Sequence, residues 1–322
     1  MKRIITLLSL LLLVACNRNQ QPASATDIDY AAVAAPEFCA DSAYRYVAEQ
    51  LAFGFRSPGS KGHELCAQYL IHKMSAWCDT VMPQHFTATL WNGDTYKGTN
   101  IICSLSPEKE ARVLLGAHWD SRLWADHDPD EANHRKPIMG ANDGASGVGT
   151  LMEMARAMSQ QRPEVGVDII FFDMEDQGIP EWAGSYKNDT WCLGSQHWAQ
   201  QPHRPFYQAR YGVLLDMVGT ASPRYTKEEF SRHYAPGVVD KLWKAAAQMG
   251  LGHVFVNEST DPILDDHLYV NRLASIPMAD IVQNSEECSF FPYWHTVKDD
   301  LDCISKEAMK QTADVLLKVL YQ

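Results

Sequence analysis

Five acids and two histidines of this 322-residue chain stand where they could do chemistry together: Asp143, Glu175, Asp176, Asp216, Asp265, His118 and His295. Asp143 lies in a Gly-rich stretch, Gly140-Ala141-Asn142-Asp143-Gly144-Ala145-Ser146-Gly147. Glu175 and Asp176 adjoin just after an apolar run, and His295 sits in Trp294-His295-Thr296. Zinc takes nitrogen and oxygen donors, and a catalytic site uses three protein ligands with one open position. A carboxylate from a tight loop, one of two adjacent carboxylates and a late histidine can supply that set. The other member of the pair can carry protons, because a carboxylate screened from water has its pKa raised toward the working pH.

Other residues extend the constellation. His118 is followed two residues on by Asp120, which could orient the imidazole through its second nitrogen. Leu214-Leu215-Asp216 again sets an acid after an apolar run, and Asp265-Asp266-His267 adds two acids beside a histidine. Blander readings exist for single members. His118 could be a satisfied polar group at a strand end, and Asp143 a helix N-cap.

Short, continuous apolar runs at 100–105 (NIICSL), 113–117 (VLLGA), 167–172 (VDIIFF), 212–215 (GVLL) and 276–281 (IPMADI) predict strands covered on both faces. Helical spacing recurs between residues 41 and 77, broken at Ser57-Pro58-Gly59, and again at 147–158 and 238–249. Strand and helix alternate, which predicts one α/β domain: a central twisted, mostly parallel mixed sheet flanked by helices on both faces. Ligands in such folds bind beyond the carboxyl ends of the strands, where His118, Glu175 and Asp216 fall. Two insertions, 122–137 and 179–191, are expected to be loops around that end.

The chain carries a net charge of −12, which argues against nucleic acid, since phosphate affinity comes from Lys and Arg. Lys2 and Arg3 precede an apolar run from Ile4 to Val14, too short to span a membrane as a mature helix, so 1–15 reads as an export signal. Its end, Leu13-Val14-Ala15-Cys16, resembles a bacterial lipobox, which makes Cys16 the lipidation site and the inner or outer envelope membrane the location. Residues 16–36 are then the lipidated N-terminus and a flexible tether, and 37–322 the catalytic domain. Seven further cysteines (Cys39, Cys66, Cys78, Cys103, Cys192, Cys288, Cys303) lack metal-binding spacing and are expected as bridges or buried thiols.

The order HWD, NDGASG, strand with paired acids, LLD and late His-Thr resembles the co-catalytic zinc aminopeptidases. GTNII at 98–102, DDH at 265–267 and the tryptophan before His295 make it most similar to the animal-type glutaminyl cyclases. The resemblance implies one zinc ion per chain held by Asp143, Asp176 and His295, with Glu175 as general base and acid. It further implies Asp216 and Asp265 as a hydrogen-bonded carboxyl pair, Trp182 and Trp294 as pocket walls, peptides with N-terminal glutamine as substrates, and a monomer. Asp176 departs from the pattern, which usually has glutamate there, and Ala117 stands where animal enzymes have a cysteine. Phe290 and Phe291 are expected in the core. The rival reading is a di-zinc aminopeptidase, in which His118, Asp143, Asp176, Asp216 and His295 hold two ions.

Overall fold

The computed structural model describes residues 28–184, 189–284 and 290–322. The leader, Cys16 and Cys288 lie outside the described residues. Helices α1 (Ala40–Leu51) and α2 (Lys61–Met74) open the fold on either side of the predicted Ser57-Pro58-Gly59 turn. Ser60 caps α2 by accepting from His63 N at 3.0 Å, an interaction worth about 1 kcal/mol. There follow β1 (Thr80–Thr89), β2 (Thr95–Leu105), β3 (Arg112–His118), α3 (Ala145–Gln160), β4 (Gly166–Phe172), α4 (Leu193–Gln200) and β5 (Tyr211–Asp216). The chain continues through β6 (Tyr225–Glu228), α5 (Glu229–Tyr234), α6 (Pro236–Gln248), β7 (Phe255–Thr260), α7 (Asp266–Ala274), β8 (Met278–Val282) and α8 (Lys306–Leu320).

Six strands form the main sheet in the order β1-β2-β4-β3-β5-β8. Four of them, β4, β3, β5 and the edge strand β8, run parallel, with Leu115 opposite both Ile169 and Val213, and Leu215 opposite Ile281. β2 joins antiparallel to β4 and to β1. All five predicted strands are present. β1 was not foreseen because it is a polar, largely exposed edge strand carrying Pro83, a residue an edge tolerates where a central strand does not. β6 and β7, a separate short parallel pair, were also unforeseen.

The continuous apolar runs are explained by two cores, one on each sheet face. Alternate residues Ile101, Val113, Leu115, Ile169, Phe171, Val213 and Ile281 point to a large cluster shared with α1, α2, α3, α6 and α8. Their neighbours Ile102, Leu114, Ile170, Phe172, Leu214 and Met278 join Trp198 of α4 and Val270 of α7 on the opposite face. Each fully buried Leu, Ile or Phe contributes about 1.5–3 kcal/mol. With both faces sealed, the open place for chemistry is the rim where β3, β4 and β5 end.

Candidate metal centre and active site

The parallel strands end in register, and that brings the acids together. β3 finishes on His118, β4 on Phe172 just before the Asp173–Gly178 turn, and β5 on Asp216. Three further pieces complete the rim: the 140–144 loop leading into α3, the first turn of α7 at Asp265, and the turn at His295. Asp143 is not the helix cap; Gly144 holds that position, and no side chain caps the helix. A Cβ at Gly144 would lie 2.4 Å from both Nε2 and the carbonyl oxygen of His118, so only glycine lets the loop approach. Asp299 fixes that loop by accepting from Asn142 N (2.8 Å) and Asp143 N (3.1 Å).

Asp120 plays a larger part than orienting one ring. It accepts from Glu175 N (3.1 Å), Asp176 N (3.2 Å) and Gln177 Nε2 (2.9 Å), and it lies 3.4 Å from His118 Nδ1. One buried carboxylate thus pins the whole acidic turn. Asp126 does the corresponding work for His295, standing 3.4 Å from its Nδ1 while held by the Arg122 guanidinium at 2.7 Å through both oxygens. Burial alone would raise the Asp126 carboxyl; Arg122 and His295 outweigh it and hold the group well below the usual carboxylate range.

With Nδ1 directed at Asp126, His295 turns Nε2 toward Asp176 Oδ1 (2.9 Å) and Asp143 Oδ2 (3.6 Å). Donor atoms of Asp143, Asp176 and His295 all lie within 4.8 Å of one another. His118, Asp143 and Asp216 form a second such group, with His118 Nε2 3.0 Å from Asp143 Oδ1 and 3.3 Å from Asp216 Oδ1. Asp143 Oδ2, Asp176 Oδ2, Asp216 Oδ1 and His118 Nε2 are buried without a hydrogen-bond partner. A buried polar atom left so costs about 1–3 kcal/mol, more for a charged group. Oxygen and imidazole donors with unmet need fit a divalent cation such as zinc.

Electrostatics follow from crowding. Burial and then Asp143 push the Asp176 carboxyl up to about 6. Burial, with Asp265 and Asp143 adding to it, pushes Asp216 up to about 8. Glu175 is raised well above its ordinary value by burial and by the charges of Asp265, Asp176 and Asp266. Asp265 caps α7, accepting from Asp266 N at 2.5 Å, while its Oδ2 is buried without a hydrogen-bond partner. Between Asp216 and Asp265 the coupling is through charge.

Asp143, Glu175, Asp176, Asp216, Asp265, Trp294 and His295 all line one cavity of about 340 Å³. Trp294 stacks on His295 with centroids 3.7 Å apart, and Trp191 lies nearly parallel to the same imidazole at 5.9 Å. Trp182 is elsewhere. It sits in a single 3-10 turn after Pro180, packed on Trp91 (5.8 Å) and Trp124 (6.3 Å) and covered by the Arg135 guanidinium at 4.0 Å. The loop runs on past that turn, and its far end places Trp191 at the cavity. Phe290 lines the cavity against expectation, whereas Phe291 is buried beside Met217 and Val282 as expected. The six described cysteines other than Cys16 and Cys288 are free thiols.

Sequence reasoning missed Asp126, Trp191, Asp299 and Cys192. The i,i+4 spacing of Arg122 and Asp126 was a legible sign of the first. Backbone conformation marks the site independently: Met174, Cys192, Met217 and His295, four of the nine non-glycine residues with positive φ among those described, surround it. Such conformations cost about 1–3 kcal/mol each and gather where function over-determines them.

Comparison with known proteins agrees with this geometry. Residues 100–320 match the profile of Peptidase family M28. A glutaminyl cyclase from Bacteroides thetaiotaomicron, solved with N-acetylhistamine bound, is 48% identical over 90% of this chain and 99% of its own, with a TM-score of 0.88. A glutaminyl cyclase from Tannerella forsythia is 47% identical over 89% of this chain and 99% of its own, with a TM-score of 0.87. A Zn-dependent exopeptidase from Parabacteroides distasonis is 46% identical over 90% of this chain and all of its own, with a TM-score of 0.88. Matched along most of its length by fold and by sequence, the chain belongs to peptidase family M28.

Proposed function

We propose that this protein is a zinc-dependent glutaminyl-peptide cyclotransferase, which closes the N-terminal glutamine of peptides or proteins into pyroglutamate and releases ammonia. The observation that carries the reading is a three-donor set, Asp143, Asp176 and His295, with a further carboxyl outside the set, Glu175, beside it on the wall of an aromatic-lined cavity. Likeness at 48% and 47% identity to two glutaminyl cyclases supports the choice of reaction.

Asp143, Asp176 and His295 would hold one zinc ion per chain. Bound there, zinc supplies Lewis-acid polarisation of the substrate's γ-carbonyl. The α-amine of the substrate attacks that carbonyl, forming the ring C–N bond, and the side-chain amide nitrogen leaves as ammonia. Neither water nor a protein nucleophile is required. Glu175 takes the proton from the attacking amine and delivers it to the departing nitrogen, and its raised affinity for protons suits it to both. Asp216 and Asp265, which line the cavity together with Glu175, hold the amine end in place. Trp191 and Trp294 exclude water and confine the glutamine side chain to a near-attack geometry.

A second reading is favoured by one observation: His118, Asp143 and Asp216 form another donor group sharing Asp143. A di-zinc aminopeptidase would use both groups. Against it stands the likeness at 48% and 47% identity to two glutaminyl cyclases. Incubation of purified protein with a Gln-naphthylamide should yield the pyroglutamyl product and ammonia, be abolished by a chelator and return with Zn²⁺. Release of free naphthylamine from Leu-naphthylamide would favour the rival. We place the enzyme in the bacterial envelope, tethered through lipidated Cys16; a Cys16→Ala variant recovered in the membrane fraction would argue otherwise.

A further inference from the structure

Glu175 has one hydrogen-bond partner for its carboxylate among the described residues, and it is a thiol: Cys192 Sγ donates to Oε1 at 3.2 Å. Cys192 is fully buried, and it stands in the left-handed region at φ 57° as the residue that starts α4. Two backbone bonds stitch that start to the acidic turn, Cys192 N to Glu175 O (2.8 Å) and Leu193 N to Met174 O (2.9 Å). Gly194 lets the helix come this close, since a Cβ there would lie 2.2 Å from Asp173 O. The thiol is therefore carried on a platform fixed to the same turn that carries Glu175.

The crowding of the site gives this contact a task. Glu175, Cys192 and Asp265 put their side-chain atoms within 4.8 Å of one another. Two carboxyl groups at that range repel, and a long glutamate side chain has rotamers available that would swing it away. A donor on Oε1 holds the side chain down and leaves Oε2 as the oxygen free to exchange protons in the cavity that Glu175 lines.

We propose that Cys192 is a positioning residue for the cyclisation reaction: its S–H···Oε1 hydrogen bond fixes the Glu175 carboxylate in the orientation from which it serves the substrate amine. Burial keeps Cys192 in the thiol form, with Glu175 and Asp266 adding to that effect, so the donor persists at any working pH. No motif in the sequence points to this residue, and it touches neither the ligand set nor the substrate. The inference rests on the cyclase reading for its kinetic consequence, but the hydrogen bond itself can be tested without turnover.

Cys192→Ala removes the donor yet keeps the backbone bonds, and Cys192→Ser restores a donor of similar size. With a Gln-peptide, Cys192→Ala is expected to lower kcat about ten-fold while KM moves less than about two-fold, as for loss of an interaction realised in the transition state. Cys192→Ser should recover kcat to within about three-fold of the parent, because a hydroxyl is the stronger donor. Equal loss in both variants, or no loss in Cys192→Ala, would overturn the proposal. Infrared difference spectra read the contact directly, should Cys192→Ala fold poorly. The S–H stretching band isolated as parent minus Cys192→Ser should lie at lower frequency than the band isolated the same way on a Glu175→Ala background. Coincident bands would show that no such bond exists. Absence of pyroglutamate from the parent enzyme would instead count against the cyclase reading alone, leaving the infrared result to decide the contact.

Discussion

A single buried acid and a group of buried acids sit at opposite ends of the same sheet and are treated in opposite ways. At the amino end of β3 and β4, Asp168 is wholly satisfied: the Arg112 fork meets it at 2.6 and 2.7 Å, Tyr207 donates at 2.8 Å and Ser104 at 2.5 Å. At the carboxyl end, Asp143, Asp176 and Asp216 each keep a buried oxygen with no hydrogen-bond partner. Burial raises all of these groups, but at Asp168 the Arg112 and Ser104 contacts outweigh it and the pKa falls, whereas at Asp176 and Asp216 mutual repulsion adds to it. Asp168 and the three acids of the other end are all buried. What differs is the supply of donors, and the end that lacks them is the end we propose receives a cation and a substrate.

The contrast can be broken at either end. Glu175→Gln, which keeps the shape but ends proton exchange, should lower kcat by about 10²–10⁴-fold, with zinc content by elemental analysis unchanged; a near-parental rate would remove Glu175 from the mechanism. At the other end, Asp168→Ala leaves the Arg112 charge buried and unpaired and should cost about 3–5 kcal/mol in denaturant unfolding. Asp143→Asn should instead abolish metal binding with a smaller change in the stability of the chelated protein, since the residue it replaces is itself poorly satisfied there.

The two ends should also respond oppositely to pH. In chelated protein, Asp176 and Asp216 have folded pKa values near 6 and 8, above the ordinary 3.8. Their contribution to stability is whole below about pH 4 and is lost as pH rises through 6 and then 8. Asp168, with its lowered value, contributes above about pH 4 and loses that contribution as pH falls through its folded pKa. Unfolding midpoints of the chelated protein should therefore drop between pH 5 and 8, and zinc should largely cancel the drop. A flat profile over that range would contradict the assignment of repulsion to the carboxyl end.

The smallest expected effects separate the tryptophans. Trp191→Ala should raise KM for a Gln-peptide about ten-fold through loss of an aromatic wall. Trp182→Ala, away from the cavity, should change it less than about two-fold. Steady-state kinetics with the two variants would show whether the loop has exchanged one indole for the other.

Most of this architecture was legible because both sheet faces are covered: runs such as VDIIFF have no polar alternation to mislead, and the strand ends carry the acids. The edge strand β1 was illegible for the converse reason, since its residues face solvent and resemble a loop. The candidate ligand and proton-carrier residues could be named from their order along the chain, and the fold gathers Asp143, Glu175, Asp176 and His295 at one cavity. Of their supports Asp120 was foreseen, and only for His118, because Asp126 and Asp299 act on residues 169 and 157 positions away. Trp182 was misplaced by the same limitation: register inside a long loop leaves no periodic trace.

The central claim is best tested on the products. The zinc-loaded enzyme, given a peptide that begins with glutamine, should return the same peptide lighter by one ammonia, with pyroglutamate at its N-terminus and an equal amount of ammonia in solution. A shortened peptide with free glutamine beside it would contradict the account and assign the site to hydrolysis.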